Sequence, residues 1–303
     1  MIAAIESESQ NMKNNIEEEV LVVPMLTVRE HCRQIFGNPN PPTHVWEKEF
    51  DYNDEELQKL AVRDWREINE HDLYMYYALN LRYVETLQQE LFDYLFPICL
   101  ASWHELIMQD KECALEDEMY KAFNRGYIWN EMMNRQQGDA VKEFVLNTLI
   151  EKINLERERV HTAFDLQMTV MRWLYALSNL GATRVSMEPM WQTLWELDHA
   201  NKAAAALKFV SSFVYQEEGD SFSLYDPYEN WSEENVQFLE KNLTVGFILM
   251  KTAQLATYLK DMPEGGFAAR VSPDAHQNQD VVKTKIEELI ANLMSTVSND
   301  VFH

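Results

Sequence analysis

Apolar residues recur along this chain at spacings of three and four, the repeat of a helix that buries one face. Leu91, Tyr94, Leu95, Ile98 and Trp103 make one such stripe. Val141, Phe144, Val145, Thr148 and Leu149 begin another, which Val160, Phe164, Met168, Met171 and Tyr175 carry on after a phase shift across the charged stretch 151–159. Val236, Leu239, Leu243, Phe247, Met250 and Leu255 form a third, and Val282, Ile286, Leu289, Ile290 and Leu293 a terminal one.

End signals divide these stripes into elements. A helix is expected from Thr27 to Phe36, stopped by Gly37-Asn38-Pro39-Asn40-Pro41-Pro42, which cannot continue it. Asn53 or Asp54 can cap the next, with Glu55 and Glu56 in its first turn, and it is expected to run through Trp65. Thr86 and Gln89 have capping-box spacing, and Pro97 should kink or interrupt the helix they open. Gly126 is placed to end a short helix, and Asn134 with Gln137 to cap a long one. Ser186, with Pro189 in the first turn, should open a helix reaching about Tyr215 through Trp191, Trp195 and Ala203–Ala206. Ser232 caps the third stripe, and Pro263 with Gly265-Gly266 closes it.

Composition fits this pattern. With 8 Gly and 9 Pro in 303 residues there is little to build repeated turns between short strands, while 46% hydrophobic and 12% aromatic residues can fill a large core. The expected fold is all-α, a multi-helix bundle forming one large domain or two closely packed subdomains. The reading divides the chain into an acidic tail over residues 1–19, an N-terminal helical subdomain over 20–153 and a C-terminal one over 154–303.

Charge narrows the choice of partner. Fifty acidic residues against 26 basic ones leave a formal charge of −24, which repels nucleic-acid phosphates and anionic lipid and favours a protein partner with a basic surface. No apolar run approaches the roughly 20 residues that span a bilayer, and no basic region followed by an apolar run opens the chain, so a cytoplasmic protein is expected. Cys32, Cys99 and Cys113 lack the spacing of a disulfide framework or a metal site and are expected to be reduced.

Few residues combine into recognisable chemistry. Glu158 with His161 and Glu196 with His199 are Glu-x-x-His units, a spacing that puts carboxylate and imidazole on one helix face, as in di-metal carboxylate bundles. Such a bundle needs further inward carboxylates from two other helices, and only Asp165 and Glu188 lie between the units. Arg66 and His71 are five apart and do not share a face. Neither a phosphate-binding glycine loop nor a G-x-S-x-G or H-E-x-x-H motif occurs. Trp191, Trp195 and Trp231 fit a core better than a ligand pocket.

The order of Ile35-Phe36 before the proline-rich segment, Trp65-Arg66-Glu67-Ile68, Tyr94-Leu95-Phe96-Pro97, and Arg135-Gln136-Gln137 leading into Val141-Lys142-Glu143-Phe144-Val145 resembles an uncharacterised family of bacterial helical proteins, some found in toxin-immunity neighbourhoods. The resemblance spans about residues 27–153, and Phe96 and Ile98 depart from the family's pattern around the proline. It implies a helical body and a protein-binding role, and names no catalytic residue.

The leading expectation is therefore a non-enzymatic, acidic interaction module without a cofactor, of which an immunity or inhibitor protein is one form. Candidate contact residues are the clustered acids Glu217, Glu218, Asp220, Glu233 and Glu234. The alternatives are a metal-dependent bundle enzyme using Glu158, His161, Glu196 and His199, and a nucleic-acid mimic.

Overall fold

A computed structural model describes residues 25–45, 54–109, 119, 122–123, 125–155, 185–214, 232–258, 277 and 279–299. Eleven α-helices carry these residues, with no strand among them: α1 Met25–Ile35, α2 Asp54–Ala61, α3 Glu70–Met75, α4 Leu81–Tyr83, α5 Gln89–Met108, α6 Arg135–Leu155, α7 Glu188–Glu196, α8 Ala200–Val214, α9 Glu233–Asn242, α10 Val245–Tyr258 and α11 Gln279–Asn299. Two five-residue π-helical turns, Tyr76–Asn80 and Ile128–Met132, join them.

Helix α5 is the axis of the first half. Leu91, Phe92, every residue from Tyr94 to Trp103, Leu106 and Ile107 are buried, so the helix is enclosed on all its faces. Helices α1, α2, α3 and α6 pack around it. The helix runs through Pro97 without interruption, so of the two expected outcomes, a kink or a break, the break does not occur. Proline in a helix interior costs about 3 kcal/mol. Phe92 and Phe96 stack at 4.6 Å and meet Phe36 and Phe123 edge-on at 5.3–6.0 Å, and burying each such side chain contributes roughly 1.5–3 kcal/mol, so the packing outweighs the break. The predicted Thr86 box is also absent: Gln89 Nε2 instead donates to Asp93 and to the Met132 carbonyl, and Gln88 Nε2 to the His44 carbonyl.

Helix α1 ends as its glycine demands. Gly37 and Asn38 take φ values of +77° and +54°, and the Asn38 N–H reaches back 2.9 Å to the Arg33 carbonyl. Helix α2 stops at Ala61, short of the expected Trp65, because residues 62–69 form turns held by a buried arginine. Arg29, 2% exposed, donates Nη1 to the carbonyls of Trp65, Arg66 and Ile68 and pairs through Nε with Glu105 at 3.3 Å. Asn69 and Asp72 then form a reciprocal capping box that opens α3, an element absent from the sequence reading. Residues 122 and 123 are helical and Arg125 is not, and Gly126 opens the helical turn that leads into Ile128–Met132.

Two helices expected to be continuous are broken. Leu197, at φ +52°, separates α7 from α8. Trp195 and Phe209 would lie about 21 Å apart on one straight helix; the reversal brings their rings to 5.6 Å. Likewise Phe238 of α9 and Phe247 of α10 would face opposite sides of one helix, nine residues being about 900° of rotation. The break at Leu243, with Thr244 Oγ1 capping the Phe247 N–H, sets both rings against Trp191. Two expected caps do form: Asn134 with Gln137 reciprocally, and Ser232 Oγ accepting from the Asn235 N–H at 3.0 Å. Asn235 itself is buried and clamps the segment before α7, accepting from Met187 N–H and donating to the Val185 carbonyl. Helix α6 touches α1, α5, α7 and α8, and the buried apolar residues of the two halves form one connected cluster.

Candidate functional site

A half-open groove of about 430 Å³ lies between α1 and α6, floored by α5. Helix α6 contributes a single stripe, Ala140, Glu143, Phe144, Asn147, Thr148 and Glu151, which is one helical face at spacings of three and four. Helix α1 faces it with Thr27, Val28, His31 and Ile35, and α5 supplies His104. Val28 and Phe144 are buried, Glu151 and His104 half-buried, and His31, Glu143 and Asn147 exposed, so the wall is apolar at depth and polar at the mouth.

Phe144 lies between the two imidazoles, its centroid 6.0 Å from His31 and 5.8 Å from His104, both rings tilted. His104 Nδ1 is 2.9 Å from Thr148 Oγ1. Burial lowers the His104 pKa to about 4, so the imidazole is neutral near pH 7. Burial also raises the Glu151 carboxyl above its ordinary value. The His104–Thr148 contact does not form a base–nucleophile unit: Thr148 is 2% exposed, and an imidazole of so low a pKa is a weak base. It fixes one ring in the floor.

No lysine or arginine is among the groove's described lining. Two bases on the same helices are engaged elsewhere. Arg29 is turned into the carbonyls of Trp65, Arg66 and Ile68 and toward Glu105, and Lys142 approaches Asp139 at 3.5 Å. The groove holds two carboxyl groups facing partly apolar walls, an arrangement able to receive a positive charge and poorly suited to an anion.

The residues singled out from sequence fall elsewhere. Glu196 is the last residue of α7 and His199 follows the left-handed Leu197, so the two do not share a helix face. The Glu196 carboxylate pairs with the Lys202 ammonium, which Asp198 also accepts from at 3.1 Å. Among the described residues no group of three or more His, Cys, Asp or Glu could hold a metal ion. Glu158, His161, Glu217, Glu218 and Asp220 lie outside the described residues, as do Cys113 and Trp231. Glu233 and Glu234 are exposed in the first turn of α9, where they complement the helix dipole, and Glu233 accepts from Gln237 at 2.9 Å. Trp191 and Trp195 are core, packed with Phe209 and Phe247. Arg66 leans on Asp64 and the Trp65 ring, and His71 is exposed on α3. Cys32 and Cys99 are buried free thiols.

No protein-family model, curated protein or solved structure matches the chain. Among the described residues, no helix is long and apolar enough to cross a membrane.

Proposed function

We propose that the chain is a non-enzymatic interaction protein whose acidic surface covers a basic surface of a protein partner, in the manner of an inhibitor or immunity protein. The observation that carries this reading is the fate of the basic side chains. Many of those described serve the chain itself. Arg29 and Arg33 are buried, Arg63 pairs with Asp72, Arg66 with Asp64, Lys59 with Glu56, Lys202 with Glu196 and Asp198, and Lys283 approaches Glu287. These cations are already counted in the formal charge of −24, and engaged in this way they present no basic patch that would break up the acidic surface. Surplus carboxylates such as Glu233, Glu234 and Glu240 remain exposed. A field of one sign steers an oppositely charged partner and raises its association rate by about 10- to 1000-fold. The inhibitor or immunity form rests further on the resemblance of residues 27–153.

The test is kinetic. A partner captured by the full chain should have a basic contact surface. Its association rate should drop steeply between low and physiological ionic strength while dissociation changes less. Glu233→Lys with Glu234→Lys and Glu240→Lys should slow association further. An association rate indifferent to both salt and charge reversal would assign the acidity to solubility and overturn the reading.

A further inference from the structure

We propose that the groove between α1, α5 and α6 is a binding site for a small organic ammonium ion carrying an apolar or aromatic body. The inference does not depend on the protein-partner reading, because it concerns a recess on one face rather than the overall charge.

Five observations converge. The volume, about 430 Å³, lies in the range of small-molecule sites, roughly 300–1000 Å³, and exceeds the space needed for a single water by more than tenfold. The walls are of two kinds: Val28, Ile35 and Phe144 offer an apolar surface, and Glu143 and Glu151 place carboxyl groups two helical turns apart along the same stripe. No lysine or arginine among the described lining residues neutralises them, and Arg29, the base nearest in sequence on α1, has its guanidinium committed to three carbonyls and to Glu105. Glu151 is half-buried, and burial alone raises its pKa; a cation entering beside it supplies a compensating charge that no lysine or arginine of the described lining provides. His104, neutral and tied to Thr148, adds no positive charge to compete.

An anion would meet two carboxylates, and a neutral apolar molecule would leave Glu151 uncompensated. A lysine side chain of another protein has the right head but a slender stem that fills little of the recess. The groove dimensions therefore favour a free small molecule with an aromatic or branched body.

Three probes that share an indole ring and differ in charge decide the matter: tryptammonium, indole-3-ethanol and indole-3-acetate, titrated into the full chain at neutral pH by calorimetry and by amide NMR. The cation should bind about tenfold or more tightly than the alcohol, with the acetate weakest, and shifts should centre on residues 27–35 and 140–151. Glu143→Gln with Glu151→Gln should abolish the cation's advantage, whereas Glu233→Gln with Glu234→Gln, which changes net charge equally, should retain it. Ala140→Phe, which fills the recess without altering charge, should weaken both cation and alcohol; circular dichroism confirms that each variant is folded. The proposal is overturned if the cation shows no saturable binding at millimolar concentration. It is equally overturned if the alcohol or acetate binds as well, if the distant variant acts like the groove variant, or if Nα-acetyl-lysine amide binds more tightly than tryptammonium, which would make the occupant a protein side chain.

Discussion

Helix α1 buries charge on one side and faces a groove on another, and the two sides handle polar groups in opposite ways. On the first, Arg29 enters the interior with its partners supplied: the carbonyls of Trp65, Arg66 and Ile68 and the Glu105 carboxylate. On the second, Thr27 and His31 share the recess with Glu143 and Glu151 of α6, two carboxyl groups without a basic neighbour among its described lining. A buried charge with complete partners organises structure; polar groups gathered without a counter-charge hold recognition capacity in reserve. The fold solves the first problem internally, and among the described lining no base solves the second.

The largest expected effect lies on the satisfied side. Arg29→Met keeps a long stem and removes the guanidinium, leaving the carbonyls of the 62–69 turn without their donor and Glu105 without this partner. Chemical denaturation should show a loss of about 3–5 kcal/mol. A loss below about 1 kcal/mol would mean that water reaches these groups, and the contrast between the two sides would collapse.

The next largest comes from the floor of the groove. The pKa of His104, about 4 in the folded chain, lies below the ordinary 6.5, so between these values the unfolded chain binds the additional proton. Stability from this group is fully present above about pH 6.5 and is lost as pH falls toward about 4, on the order of 3 kcal/mol across the window. His31, Glu143 and Glu151 line the same recess, so the residue-specific readout is ring NMR of His104, with its midpoint expected near 4. A midpoint near 6.5 would show a hydrated floor.

The smallest effect has the opposite sign. Burial raises the Glu151 carboxyl, so its contribution is present at low pH and lost as pH rises through the folded value. Glu151→Gln should therefore raise the unfolding midpoint at neutral pH. The gain should stay under about 1 kcal/mol, because the group is half-buried and water screens it. A destabilised Glu151→Gln would reveal a counter-charge and remove the asymmetry between the two sides of α1.

How far the sequence can be read follows the range of the interactions. Local signals hold: Asn134 with Gln137 and Ser232 cap the helices they are expected to cap, Gly37 ends α1, and the stripes in α5, α6 and α11 appear as helices. The breaks at Leu197 and Leu243 are hidden because neither carries glycine or proline; they bring α8, α9 and α10 rings onto Trp191 and Trp195. Helix α3 is legible: the box of Asn69 and Asp72 is followed by Leu73, Tyr76, Tyr77 and Leu81 at spacings of three and four, a signal the sequence expectation misses. The groove joins residues near 30, 104 and 145, a convergence no spacing rule contains. Its trace in the sequence is chemical: Thr148 inside an apolar stripe, with Glu143, Asn147 and Glu151 at intervals of four beside it.

Burial gives Cys32 and Cys99 a further role. Both thiols are fully enclosed, one on α1 and one at the centre of α5, and both are pushed far above the ordinary thiol range by desolvation. A thiol held protonated and shielded does not react with an alkylating reagent until the chain around it opens. Each cysteine is thus a clock built into its own helix, and because α1 packs on the outside of α5 while α5 is the axis, the two clocks run on different openings. The labelling time of Cys32 measures detachment of the outer helix together with its arginine anchor and one wall of the groove. That of Cys99 measures dissolution of the axis itself, and the interval between them is the lifetime of a molecule that has lost its groove and kept its core.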